Sequence, residues 1–302
     1  MIVDSPRTLL RILMGLWSVG IPIAIYIAII SWLDLLYHFE EYNLPVAIVA
    51  IPGTVIALLL AFRTNSCYDR WWEARIIWGA IVNDSRTWVR QLIEFSNLGQ
   101  EQAEQNVDIR AMAYRQSAWR YALTRSLRRQ DPLNDLTPLL NATEIEQLNS
   151  ISNIPNGILL NQAKALRVLY DHGKLETYQF VELEKTLTRL TDSMGGCERI
   201  KNTTFPTSYS RLVSFLIYLF IIYLPFGLAA MPPVGLFLMA VTLAFAFLVI
   251  DRAADYLQDP FENRPSDTPM LSLSRTIEIN IKQMLGETDL PESLTPSNGI
   301  LY

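Results

Sequence analysis

Residues 212–250 read LVSFLIYLFIIYLPFGLAAMPPVGLFLMAVTLAFAFLVI, 39 positions without a charged side chain. A helix needs ~20 apolar residues to cross the hydrocarbon of a bilayer. The run is twice that long, and Pro225, Gly227, Pro232, Pro233 and Gly235 interrupt its middle. It therefore predicts two spans, 212–230 and 234–250, joined by a short turn. Upstream, Ile12–Leu33 is a further 22 uncharged residues and Leu44–Phe62 another 19. Four spans in two hairpins follow. The other reading of such segments, four buried core helices of a soluble protein, fits these lengths poorly. Composition agrees: of 302 residues half are hydrophobic and 18% charged, against about a quarter charged in ordinary soluble domains.

The basic residues set the expected orientation. No Lys or Arg lies between Ile12 and Phe62 or between Leu212 and Ile250, whereas 19 of the 25 lie in 63–211. Basic loops stay cytoplasmic, so the short turns Asp34–Asn43 and Met231–Pro233 are expected outside, and both termini inside. No small-residue cleavage site follows Arg7 or Arg11, so no removable signal peptide is expected. The chain then divides into a first transmembrane hairpin with a pore neck (1–62), a cytosolic helical region (63–211), a second hairpin (212–250) and a cytosolic C-terminal helix and tail (251–302). The fold class is all-α.

Within the polar region, Trp71, Trp78, Ile81, Trp88 and Ile93 recur at helical spacing, which predicts a helix over 64–97. Further helices are expected over 101–128 and 160–193, the latter ended by Gly195–Gly196. Between them the prolines and asparagines of 131–160 predict a loop with short helical pieces. Leu271–Leu285 is amphipathic, and 291–302 reads as an irregular tail. No repeat of solenoid period occurs.

Enzyme chemistry finds no foothold. Metalloprotease, phosphate-loop and serine-hydrolase motifs are missing. His38 falls in an outer turn, and His172 stands beside Gly173. Cys67 and Cys197 can supply neither a disulfide framework nor a four-ligand zinc site. No catalytic residue, metal or cofactor is expected. With a net charge of −5, neither is a nucleic-acid partner. Asn141 and Asn202 match a glycosylation pattern on the side expected to be cytosolic, where it is read as chance.

The second span carries more. Pro52–Gly53 is expected to interrupt it, after which two stripes run toward the cytosolic end. Gly53, Ala57 and Ala61 form a small-residue stripe that lets another helix approach closely. Thr54, Leu58 and Phe62 form the adjacent stripe, about 100° around the helix. In a ring of such helices packed through the small stripe, the adjacent one points inward and forms a narrow apolar neck, suited to gating by dewetting. The competing reading places Leu58 and Phe62 against lipid.

The stretch Phe62-Arg63-Thr64-Asn65-Ser66-Cys67-Tyr68-Asp69-Arg70-Trp71-Trp72-Glu73-Ala74-Arg75, ending at Trp78-Gly79, resembles the signature of the bestrophin family of ion channels. Cys197-Glu198-Arg199-Ile200 with Phe205-Pro206-Thr207-Ser208-Tyr209 is similar to that family's second block. Gln258-Asp259-Pro260-Phe261-Glu262 is similar to its third. The likeness is closer to the bacterial and thylakoid branch than to the animal one. It implies a homopentamer in a lipid bilayer, in a cell inner or thylakoid membrane, with one axial pore. It also implies a neck at Thr54, Leu58 and Phe62, the stripe already found from periodicity, and a cytosolic aperture at Ile200, with Thr203 and Phe205 as alternatives.

Two departures stand out. Thr54 replaces a bulky apolar residue at the outermost neck position. The segment Glu262-Asn263-Arg264-Pro265-Ser266-Asp267, acidic in the animal branch where it holds calcium, is broken here by Arg264. Arg63 is expected to snorkel at the boundary, and Arg70 to pair with Glu73 three residues on. Trp71, Trp72 and Trp78 are expected between helices. Free N–H groups at a Pro52–Gly53 break, and the ring edges of Phe62, would favour anions. Asp34, Glu40 and Glu41 at the outer turn would favour cations. The favoured reading is a chloride-like anion channel, with a cation channel as the alternative. A secondary transporter lacks an intramembrane ionisable site, and a signalling scaffold leaves the neck stripe unexplained.

Overall fold

The computed structural model describes residues 15–37, 45–96, 107–203 and 205–296. Among them all regular structure is helical: α1 (Trp17–Tyr37), α2 (Val46–Phe95), α3 (Val107–Leu127), α4 (Ala142–Asn149), α5 (Ile154–Asp171), α6 (Thr177–Asn202), α7 (Thr207–Gly227), α8 (Pro233–Gln258) and α9 (Met270–Met284). The helices α1, α2, α7 and α8 are long and apolar enough to cross a membrane. The expected 101–128 helix begins at Val107, and residues 101–106 lie outside the described set. The chain forms two compact units, with α2 contributing residues up to Trp71 to one and from Trp72 to the other.

The membrane unit holds α1, the first half of α2, α7 and α8. On α8 Leu236, Ala240, Ala244 and Leu248 are buried, a ridge with a four-residue step. Val213, Ile217 and Leu224 of α7, Ile27 of α1, and Ile56 and Leu60 of α2 join that core. Large apolar residues also cover the outer faces, among them Ile21, Ile25 and Ile29 of α1 and Phe215 of α7. Helices apolar on all sides suit lipid, where close packing and satisfied polar groups hold the bundle together. Tyr26 Oη donates to the Ile222 carbonyl at 2.7 Å and Ser31 Oγ to that of Pro233 at 2.6 Å. A Cβ on Gly227 would collide with the Val49 side chain, so α7 and α2 meet there through a position that only glycine fits.

The second unit surrounds Trp78, Trp88 and Trp119, all fully buried. Here α3 packs on α5 and α9, and α5 on α6. Asn141 Oδ1 accepts from Glu144 N at 2.7 Å and starts α4. Asn153 Oδ1 accepts from Asn156 N at 3.1 Å and starts α5, with Pro155 in its first turn. Both are side-chain caps on otherwise orphaned amides.

The expected 160–193 helix is in fact two helices. His172 caps α5, and Gly173, with φ of +68°, turns the chain in the left-handed region where glycine carries no side-chain penalty. The Gly195–Gly196 pair ends nothing and lies inside α6. A Cβ on Gly196 would stand 2.9 Å from Ile77 Cδ1, so this glycine serves a close helix approach. Pro52 likewise lies within an unbroken α2. Proline removes one backbone bond, a defect that membrane helices tolerate when neighbours compensate.

Candidate functional site

The first half of α2 has two opposed faces. Ile56, Leu60, Arg63 and Cys67 are buried, none more than 2% exposed. At 3.6 residues per turn this ridge points about 170° away from the stripe of Thr54, Leu58 and Phe62. Leu58 and Phe62 are 57% and 62% exposed, and Thr54 is exposed too, its Oγ1 donating back to the Ala50 carbonyl at 2.9 Å. The stripe thus stands clear of the packed core of its own unit, available to lipid, a neighbouring subunit or an ion path.

The small stripe faces differently. Gly53 lies against Phe220, with 3.3 Å between its would-be Cβ and the ring. Ala57 and Ala61 line a shallow cavity of about 460 Å³ with Phe247, Ile250 and Leu257. Because α2 is continuous, no free N–H groups arise at Pro52–Gly53. Proline cannot donate to the Ile48 carbonyl, so the group released is an acceptor. An anion site at a helix break is therefore not built here.

Arg63 does not snorkel. Its side chain is 2% exposed and pairs with both Asp251 and Asp255, one turn apart on α8. Ser214 Oγ of α7 donates to Asp251 Oδ2 at 3.3 Å. Arg70 Nε donates to the Gln258 carbonyl at 3.3 Å, and Glu73 pairs with Arg199. Trp78 is in the core, whereas Trp72 is 49% exposed. The two aspartates are missed from sequence because they fall just past the fourth uncharged run. Their four-residue spacing, opposite an arginine just past the second run, is the available signal.

Ile200 is 3% exposed, inside the core that also holds Met194 and Cys197. Its side chain therefore lies among core residues and not on an open face. Thr203 caps α6, and the Phe205 ring meets that of Tyr209 edge-on at 5.4 Å. Burial pushes the Cys197 thiol well above its ordinary pKa, which leaves it an inert core group.

The segment after Pro260 is closed on itself. Thr268 N donates to the Pro260 carbonyl at 3.1 Å, and Arg264 N to Asp267 Oδ2 at 2.9 Å. Lys201 pairs with Glu262 and holds its carboxyl below the usual range. Burial raises Asp267 to about 6. Both carboxylates are thus engaged. Among the described residues no group of three His, Cys, Asp or Glu is placed to hold a metal ion. The outer-turn residues His38, Glu40 and Glu41 lie outside the described set. Asp34, at the end of α1, is buried.

Four helices long and apolar enough to cross a membrane, joined to a second helical unit, are the make-up of a multi-span membrane protein. The chain matches the family described as Bacterial/Fungal Bestrophin protein over residues 7–283, and it belongs to that family. A voltage-dependent anion channel-forming protein of Ralstonia nicotianae is 31% identical over 250 residues, which is 82% of this chain and 80% of the relative. Another so named, from Escherichia coli K12, is 30% identical over 251 residues, 82% of this chain and 79% of the relative. A bacterial bestrophin homolog from Klebsiella pneumoniae superimposes with a TM-score of 0.80 at 29% identity, covering 88% of this chain and 98% of that one. The chain is an ion channel and not an enzyme.

Proposed function

We propose that the protein is a homopentameric channel that passes small monovalent anions, chloride-like, down their gradient. In this reading Thr54, Leu58 and Phe62 of α2 form the pore neck. The observation that carries it is the opposition of two faces: Arg63 and its buried neighbours fix one side of α2, while Leu58 and Phe62 stay exposed on the other. A ring of five such faces is apolar and narrow, and an apolar constriction controls ions by excluding water. The names of the curated relatives support anions as the permeant species. Both termini and residues 63–211 are proposed to be cytosolic, from the distribution of basic residues.

The cytosolic aperture is proposed at Ile200 on the family likeness. Ile200→Ala should change selectivity in a bilayer recording, and unchanged selectivity would leave Ile200 a core residue with no part in the ion path.

The test is a recording from purified protein in a planar bilayer with a tenfold KCl gradient. A reversal potential near the chloride equilibrium value, from a particle of about 170 kDa (five subunits of 34.5 kDa), is expected. A reversal near the potassium value would replace anions by cations, and a monomer or dimer would remove the axial pore.

A further inference from the structure

We propose that Arg63, Asp251 and Asp255 form a charge clamp that sets the rotation of α2, so that Leu58 and Phe62 face the ion path. The inference rests on the neck reading above and adds the residues that position it. Arg63 follows Phe62 directly, yet its side chain is 2% exposed while Phe62 is 62% exposed. The two groups leave the helix about 100° apart. Arg63 is held by two carboxylates of α8, and Ser214 of α7 holds one of those in turn. Arg252 also reaches Asp255, at 3.8 Å.

Apolar contacts alone specify such a rotation weakly. The core partners of α2 are largely apolar, the Phe220 ring beside Gly53 among them, and its outer face is apolar as well, so lipid exerts little preference between settings. A planar guanidinium forked between two carboxylates is directional. Turning α2 by even a fraction of a turn would separate a buried cation from its partners, and a broken buried pair is strongly unfavourable. The clamp therefore makes one setting the stable one. Lysine, a point charge on a flexible stem, can keep the charge but not the fork.

The clamp predicts a change in which face of α2 meets water, readable per channel. Leu58→Cys and Phe62→Cys are made singly and treated in bilayers with an anionic methanethiosulfonate, following loss of current. Native Cys67 and Cys197 are buried and serve as a silent background. With Arg63 present, both engineered thiols should react. In Arg63→Gln the rate should fall in proportion to the population that keeps the neck-facing setting, about tenfold where that setting drops to about one channel in ten. Arg63→Lys should restore part of it. A merely structural role would lower the number of channels and leave the rate per channel unchanged. That outcome, with equal rates in Arg63→Gln and the parent, overturns the clamp while the neck stands. If neither thiol reacts with Arg63 present, the neck reading fails and the clamp with it. Should Arg63→Gln not assemble, Asp255→Asn, which removes the half-exposed partner, is judged by the same rates.

Discussion

Asp267 ties the stability of the second unit to pH. Its side chain is 2% exposed, its Oδ2 accepts from Arg264 N, and burial raises its pKa from 3.8 to about 6. The carboxyl therefore loses its proton at lower pH in the unfolded chain than in the folded one. Below pH ~4 both states are protonated and the group is neutral to stability. As pH rises from about 4 to about 6 the unfolded state ionises first, and stability is lost; above that window the loss is constant. At ~1.4 kcal/mol for each pH unit between the folded and unfolded pKa, the full loss is about 3 kcal/mol, of which about 2 kcal/mol falls between pH 4 and pH 7.

Asp267→Asn isolates this contribution, because the amide oxygen can still accept from Arg264 N and has no proton to lose. The assay is thermal unfolding in detergent of parent and variant at pH 4 and pH 7. The variant should gain on the parent by about 2 kcal/mol between the two, or roughly 4–8 °C at ~2–4 °C per kcal/mol. Comparing differences removes the titration of all other groups. A gap between variant and parent that is the same at both pH values would show that Asp267 is not held neutral by burial.

The neck predicts that Leu58→Ala with Phe62→Ala raises conductance or open probability, since a wider constriction no longer excludes water; parent-like currents at unchanged assembly would place both residues against lipid. Two adjacent glycines of α6 should respond oppositely in thermal unfolding. Gly195 meets nothing within 4 Å and Gly195→Ala should stabilise by about 0.5–1 kcal/mol, whereas Gly196→Leu should cost about 1–3 kcal/mol by forcing Ile77 aside. Calcium should not gate the channel: currents at nanomolar and at ~10 µM calcium are expected to agree, since a sensor needs six to eight converging oxygens. A steep rise across that interval, removed by Asp267→Ala, would refute this.

Long-range apolar patterning was legible because it follows from chain chemistry alone. A span needs length without charge, and α1, α7 and α8 announce both. The amphipathic α9 was legible by a different signal, apolar residues at helical spacing, of which Met270, Ile277 and Ile281 are buried. What the sequence hid were positions whose meaning is set by a partner far along the chain. Gly195–Gly196 looks like a helix stop, since glycine is a poor helix former. In the fold Gly196 is a gap cut for Ile77, more than a hundred residues earlier. Gly173, one residue past a histidine, is the real breaker, marked by its positive φ. Pro52 looks like a break for the same local reason, yet only one backbone bond is lost and α2 continues through it.

Arg63 shows why the candidate site was half legible. A cation at the end of an apolar run has a good local explanation, which is to reach for the interface. That explanation assumes the water side is the nearest polar partner. Here Asp251 is nearer, although 188 residues away in sequence. Counting uncharged runs places Asp251 and Asp255 outside the fourth span, and so outside the stretches where an intramembrane charge would be noticed. In the structure α8 continues past both, so the acids stand one turn apart on a helix that packs in the same unit as Arg63. The stripe of Thr54, Leu58 and Phe62 could be read from periodicity. Its direction could not, because the other side of α2 is fixed by this ion pair. A helix face acquires a role only once something holds the opposite face still.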